Sequence, residues 1–267
     1  MTGDQRSPRT GNRLPKEQPG TSTSEASQRV ALVTGGSGGI GRETAVRLAS
    51  DGFAVVVNYA GNGAEADAAV AEIAGAGRNA VAVKADVADE TAVAAMFDTA
   101  EQTFGGIDVV VHAAGIMPLA PLADLDLDVF DRVVRTNLRG TFVVNQQSIR
   151  RVRSGGAIIN FSSSVLALAL PSYSAYAATK GGVEAITLIL AHELRGRDVT
   201  INAVAPGPTA TALFLNGKDE ETIARFAAQP PLERLGVPSD VAELVAFLAG
   251  PGHWVNGQVL RVNGGIA

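Results

Sequence analysis

VALVTGGSGGIGRETAVRLA, running from Val30 to Ala49, decides the fold. A short apolar strand, Val30 to Val33, enters a glycine-rich turn and leaves it as an amphipathic helix. Strand, glycine turn and helix in that order form the context that a dinucleotide-binding loop requires. Two registers fit the turn. Gly36, Gly38 and Gly41 match G-x-G-x-x-G, whereas Thr34, Gly35, Gly39, Ile40 and Gly41 match T-G-x-x-x-G-I-G. In both, small residues let the backbone approach a pyrophosphate, whose charge then sits at a helix N-terminus.

Outward from this unit the chain alternates. Strand-like runs fall at Val30–Thr34, Ala54–Asn58, Ala80–Ala85, Val109–His112, Ala157–Phe161, Thr200–Val204 and Val259–Val262. Helix-like stretches lie between them at Ile40–Ser50, Ala64–Ala76, Glu90–Phe104, Leu127–Arg151, Ala175–Arg195 and Ser239–Ala249. This pattern specifies an α/β fold: one doubly wound, Rossmann-type parallel sheet of about seven strands with helices on both faces. A nucleotide then belongs at the carboxyl ends of the strands. There is no internal repeat and no second domain. Residues 1–28 are polar and rich in Gly, Pro, Ser and Thr, and read as a flexible tail ahead of a domain at 29–267.

A second pattern sits in INFSSSVLALALPSYSAYAATKGG: Ser163, Tyr176 and Lys180. A tyrosine and a lysine four apart project from one helix face. The ammonium then favours the ionised phenol. Lowering a tyrosine pKa by roughly three units takes about 4 kcal/mol of differential stabilisation. Ser163, at the preceding strand end, is placed to hold a substrate oxygen against the phenol. Tyr173 shares the helix face but lies two turns from Lys180, and alternation points Ser162 and Ser164 away from Ser163.

Taken together, these motifs resemble the short-chain dehydrogenase/reductase family. Asp86-Val87 after the third strand, Asn137 in the long central helix and Asn202-Ala203-Val204-Ala205-Pro206-Gly207 after the sixth extend the resemblance. The body of the chain most resembles the 3-oxoacyl-[acyl-carrier-protein] reductases. The resemblance implies a catalytic set of Ser163, Tyr176, Lys180 and Asn137, with Tyr176 as proton donor and Asn137 placing a water behind Lys180. It implies cofactor contacts at Gly35, Ser37, Gly39, Ile40, Gly41, Asn58, Tyr59, Asp86, Val87, Ala114, Gly115, Tyr176, Lys180, Pro206, Gly207 and Thr209. Asp86 is expected to face the adenine amino group.

Asn58 stands where an acidic residue would repel a 2′-phosphate, which favours NADP(H) and leaves NAD(H) possible. Gly38 replaces the loop's usual basic residue, and Arg42 is the nearest cation. In the family's Asn-Asn-Ala-Gly stretch this chain has His112-Ala113-Ala114-Gly115, which predicts a loss of bracing hydrogen bonds. The segment from Gly207 to Leu235, with Phe214 and Phe226, corresponds to the family's mobile lid.

The implied reaction is hydride transfer between nicotinamide and a ketone or secondary alcohol, with a 3-oxoacyl thioester as first expectation. Other ketones or alcohols are the alternative, and a silent NADP-sensing module is a remoter one. Arg150, Arg151, Arg153, Arg195 and Arg197 offer a basic patch for an acidic acyl carrier protein. A homotetramer packed through Leu127–Arg151 and Ala175–Arg195 is the family's usual assembly. A net charge of −5 argues against a nucleic-acid or anionic-membrane partner. No metal-ligand spacing is present. The absence of cysteine excludes disulfides and suits a reducing compartment, so the cytoplasm is expected.

Overall fold

Seven strands, β1 (Val30–Thr34), β2 (Ala54–Tyr59), β3 (Ala80–Lys84), β4 (Ile107–His112), β5 (Val152–Phe161), β6 (Val199–Pro206) and β7 (Val259–Val262), join in the order β3-β2-β1-β4-β5-β6-β7. Every pairing is parallel. This arrangement comes from a computed structural model, which describes residues 1–2 and 28–267. Most of the segment read as a flexible tail therefore lies outside the described residues.

The strands are rich in valine and isoleucine because both sheet faces are covered. Successive residues feed alternate sides. Val33, Val55, Val57, Val109 and Val111 pack on one face with α1 (Gly39–Ser50), α2 (Gly63–Gly75) and, near the chain's end, Pro238–Ala249. Leu32, Val56, Val110, Ile158 and Ile201 pack on the other with α3 (Glu90–Phe104) and the helices that precede and follow β5. Period two with both phases apolar is the signature of a sheet buried on both sides.

The long central helix departs from expectation. Leu127–Arg151 divides into α4 (Leu127–Val133), a π-helical turn at Val134–Arg139 and α5 (Gly140–Arg151). Single π turns inside α-helices are common at functional sites. Here the turn holds Asn137, which is buried. After β5 come α6 (Val165–Leu168) and α7 (Ser174–Glu193). The Gly207–Leu235 segment contains α8 (Ala212–Leu215) and α9 (Glu220–Ala227), and α10 is the closing helix at Pro238–Ala249. Thr211 caps α8 through Phe214 N, and Asp219 caps α9 through Thr222 N at 2.8 Å. The rings of Phe214 and Phe226 meet edge-on, with centroids 5.3 Å apart. No described helix is long and apolar enough to cross a membrane.

Candidate active site

The loops at the carboxyl ends of β1, β4, β5 and β6 enclose a cavity of about 340 Å³. Gly35, Gly39, Ile40, Gly41, Ala114, Gly115, Ser163, Tyr176, Lys180, Pro206, Gly207 and Thr209 line it. Twelve of the residues singled out by sequence thus line one cavity. Ser37, Asn58, Tyr59, Asp86, Val87 and Asn137 lie outside that lining.

The glycine loop is built for close backbone approach. A Cβ on Gly41 would sit 2.2 Å from the carbonyl oxygen of Gly35, and Gly35 itself has φ +65°. No side chain fits the first, and the second favours glycine. The resulting groove, bare of side chains at the start of α1, suits a pyrophosphate. Across the cavity, a Cβ on Gly115 would meet Asn137 Oδ1 at 3.3 Å and Lys180 Nζ at 3.8 Å. The residues present fit a dinucleotide.

Several supporting residues act differently from expectation. Asn58 faces inward rather than toward a ligand: it is 1% exposed, accepts from Gly35 N at 3.4 Å and donates to the carbonyls of Ala85 at 3.0 Å and Val83 at 3.2 Å. It fixes the loop ends of three strands. Tyr59 lays its ring over Gly63, and Val87 packs against Gly140. Asp86 accepts from Ala88 N at 2.9 Å and from Arg135 at 2.6 Å. Burial pushes its carboxyl up, but the Ala88 amide and the Arg135 guanidinium outweigh burial and hold it below the usual range. Arg135 was not singled out in the sequence, because nothing local marks a partner 49 residues from Asp86. Arg42 is tied to Glu72 at 2.8 Å.

His112 corrects a second expectation. Its Nδ1 lies 2.9 Å from Thr34 Oγ1, which also accepts from Ala114 N at 3.2 Å. The imidazole supplies the bracing that its substitution was expected to remove. Burial, and secondarily Lys180, push its pKa down to about 3, so it is neutral at physiological pH. Its Nε2 is buried without a partner.

The reacting groups stand on α7 and at the end of β5. Ser162 donates to Glu184 at 2.7 Å and Ser164 to the Ala205 carbonyl at 3.0 Å, so of the three serines only Ser163 keeps its hydroxyl toward Tyr176. Tyr176 and Lys180 are both buried. Lys180 donates to the Phe161 carbonyl at 2.7 Å, and its Nζ lies over the Tyr176 ring, 5.5 Å from the centroid. This geometry overturns the expected depression of the phenol. Burial pushes Tyr176 up to about 12, against the opposing hydrogen bond from Ser163, while burial pushes Lys180 down to about 8. Desolvation dominates both groups, and no opposing pull from the ammonium outweighs it at the phenol. Asn137 braces the cavity rim: it accepts from Ile116 N at 2.9 Å and donates to the Ile116 carbonyl at 2.8 Å.

A sequence-family profile described as Enoyl-(Acyl carrier protein) reductase matches residues 35–267. A short-chain type dehydrogenase/reductase of Picea abies is 46% identical over 89% of this chain and 92% of its own length. The chain belongs to the short-chain dehydrogenase/reductase family. Its members here include an NADPH-dependent aldehyde reductase-like protein, chloroplastic, of Arabidopsis thaliana, 42% identical over 89% of this chain and 93% of that protein. The solved structure of a short-chain dehydrogenase from Burkholderia cenocepacia in complex with NADP superposes with a TM-score of 0.84 at 38% identity, covering 89% of this chain and 97% of that one. The chain is thus an oxidoreductase of this family.

Proposed function

We propose that this protein is an NADP(H)-dependent carbonyl reductase acting on ketones or aldehydes with an apolar body. The observation that carries the reading is the convergence of Ser163, Tyr176 and Lys180 on one cavity whose far wall is the glycine loop. When bound, the dinucleotide supplies hydride to the carbonyl carbon. The start of α1 would hold its pyrophosphate, and Lys180 would hold the ribose nearest the nicotinamide. Ser163 donates a hydrogen bond to the substrate oxygen and stabilises the charge that develops there. Tyr176 gives that oxygen its proton. A phenol held near 12 is protonated at neutral pH, the form a donor needs. Alcohol oxidation requires the same phenol to lose its proton, so oxidation gains with rising pH. Asn137 acts as a positioning residue that keeps Ile116 and the cavity rim in place.

The NADPH-dependent relative supports NADP(H). Within this class, a free aldehyde or ketone is favoured over an acyl group on a carrier protein. Met117, Leu168, Phe214 and Phe226 make the substrate side apolar, which suits either. The arginines expected to receive a carrier lie beside the amino ends of β5 and β6, the opposite edge of the sheet from the cavity. Arg151 is bound to Glu101 and Asp98, Arg153 to Asp108, and Arg197 to the carbonyls of Ile149 and Val152. The test is NADPH oxidation with a panel of ketones, aldehydes and an acetoacetyl thioester, with Tyr176→Phe as control. Turnover of free carbonyl compounds that disappears in the variant supports the proposal. Turnover of the thioester alone transfers it to the acyl reading.

The same reading includes a homotetramer. Phe142 on α5 and Leu188 and Ile189 on α7 are 57%, 47% and 58% exposed. Phe247 on α10 and Trp254 are 44% and 100% exposed. Light scattering that finds only monomer, or Phe142→Asp leaving the mass unchanged, removes this part.

A further inference from the structure

Between Ser163 and Tyr176 the backbone makes a tight detour. α6 ends at Ala169, whose φ of +50° is left-handed, and Leu170-Pro171-Ser172-Tyr173 then turns back. Proline at the second position, φ +72° at Ser172 and a Tyr173 N to Leu170 carbonyl bond of 3.4 Å describe a type II turn. Two non-glycine residues in the left-handed region within four positions are a strained arrangement. Its effect is to stand Tyr173 between two spaces.

One space is the reaction cavity. The other is an outer recess of about 330 Å³, lined by Leu122, Ala169, Pro171 and Ala177 among others. Val165, Leu170 and Tyr173 belong to both linings. The Tyr173 ring meets that of Tyr176 edge-on, with centroids 6.4 Å apart and planes at 70°. A substrate oxygen on Tyr176 therefore lies one aromatic ring from the recess. The inner cavity must hold both the nicotinamide end of the cofactor and the carbonyl. The recess has no charged residue in its lining.

We propose that the outer recess is a substrate subsite for an uncharged apolar extension of the carbonyl compound, and that Tyr173 is the specificity-determining partition that steers the extension into it. The proposal rests on the carbonyl-reductase reading for the identity of the reacting end. Each methylene buried there raises kcat/KM roughly fourfold.

The experiment compares butanone with methyl octyl ketone in the wild type, Ser174→Trp, Ala177→Met and Tyr173→Phe. Ser174 and Ala177 line the recess and not the reaction cavity. The expected result is a long-to-short ratio of kcat/KM at least tenfold lower in Ser174→Trp, carried by KM, a smaller fall in Ala177→Met, and the wild-type ratio in Tyr173→Phe, which keeps the ring. An unchanged ratio in both plugging variants overturns the subsite. Calorimetric binding of methyl octyl ketone to the same proteins separates the two readings. If the wild type consumes NADPH with neither ketone, the reductase reading fails, yet an affinity at least fivefold weaker in Ser174→Trp still upholds the recess. Equal affinities overturn it.

Discussion

At the amino ends of the strands Arg151, Arg153 and Arg197 all meet acceptors, two of them carboxylate-bound, whereas at the carboxyl ends Lys180 is buried with only the Phe161 carbonyl. Asp108, itself buried, takes Arg153 on one side and the amide of Val30 at 2.7 Å on the other. That edge anchors β1 to β5 with charges that neutralise each other. The opposite edge keeps a buried amine without a carboxylate and an imidazole with an orphaned nitrogen. Unpaired burial is unfavourable, so it persists where a site needs groups with displaced pKa values. The contrast separates stability from chemistry within a single sheet.

Removing the lysine tests the contrast most severely. Lys180→Met is expected to lower kcat for carbonyl reduction by a factor on the order of a thousand. The same change should stabilise the ligand-free protein by about 2 kcal/mol at pH 7, after allowing for the lost bond to Phe161. Its sign follows from linkage. Between about 8, the folded value, and the ordinary lysine value of 10.5, the unfolded chain holds a proton that the folded chain has released. Wild-type stability therefore rises with pH through that window, and the advantage of the variant shrinks there. Urea midpoints of both proteins at neutral and alkaline pH measure it. Equal stability at pH 7 breaks the comparison.

Arg153→Ala, at the other edge, is expected to destabilise by about 3 kcal/mol because Asp108 is left as a buried carboxylate without its cation. Its kcat per folded molecule should match the wild type. A kcat loss without a stability loss would reverse the roles of the two edges.

Arg135→Ala sharpens the boundary between them. It removes one partner of Asp86 while the Ala88 amide remains, and NADPH affinity, read by fluorescence titration, is expected to weaken about fivefold, on the scale of one partly exposed ion pair. Ser172→Gly is the smallest change. Glycine relieves the φ of +72° and should alter stability by no more than about 1 kcal/mol in the favourable direction. It should also loosen the wall beside Tyr173, seen as a flatter ketone-length profile.

The strand order and the place of the glycine turn were legible because each is a short-range pattern, and Ser163, Tyr176 and Lys180 fall on one cavity as their spacing suggested. Asn137 was legible only through resemblance, since periodicity alone reads Leu127–Arg151 as one regular helix and conceals the π turn. The inward turn of Asn58 depends on carbonyls of β3 and its loop, and the Asp86–Arg135 pair on a distant helix. The pKa of Tyr176 depends on how deeply α7 is buried, a quantity that spacing along a helix leaves open. The outer recess arises from backbone angles at Ala169 and Ser172 that no glycine announces.

Trp254 has a consequence for optics. It is the only tryptophan in the chain, and it is 100% exposed. Its indole already meets water in the folded protomer, so denaturing a lone subunit changes the emission colour little. Burial against another subunit would shift that emission to the blue. If Trp254 lies at such a contact, intrinsic fluorescence would report association in this protein where in most it reports folding.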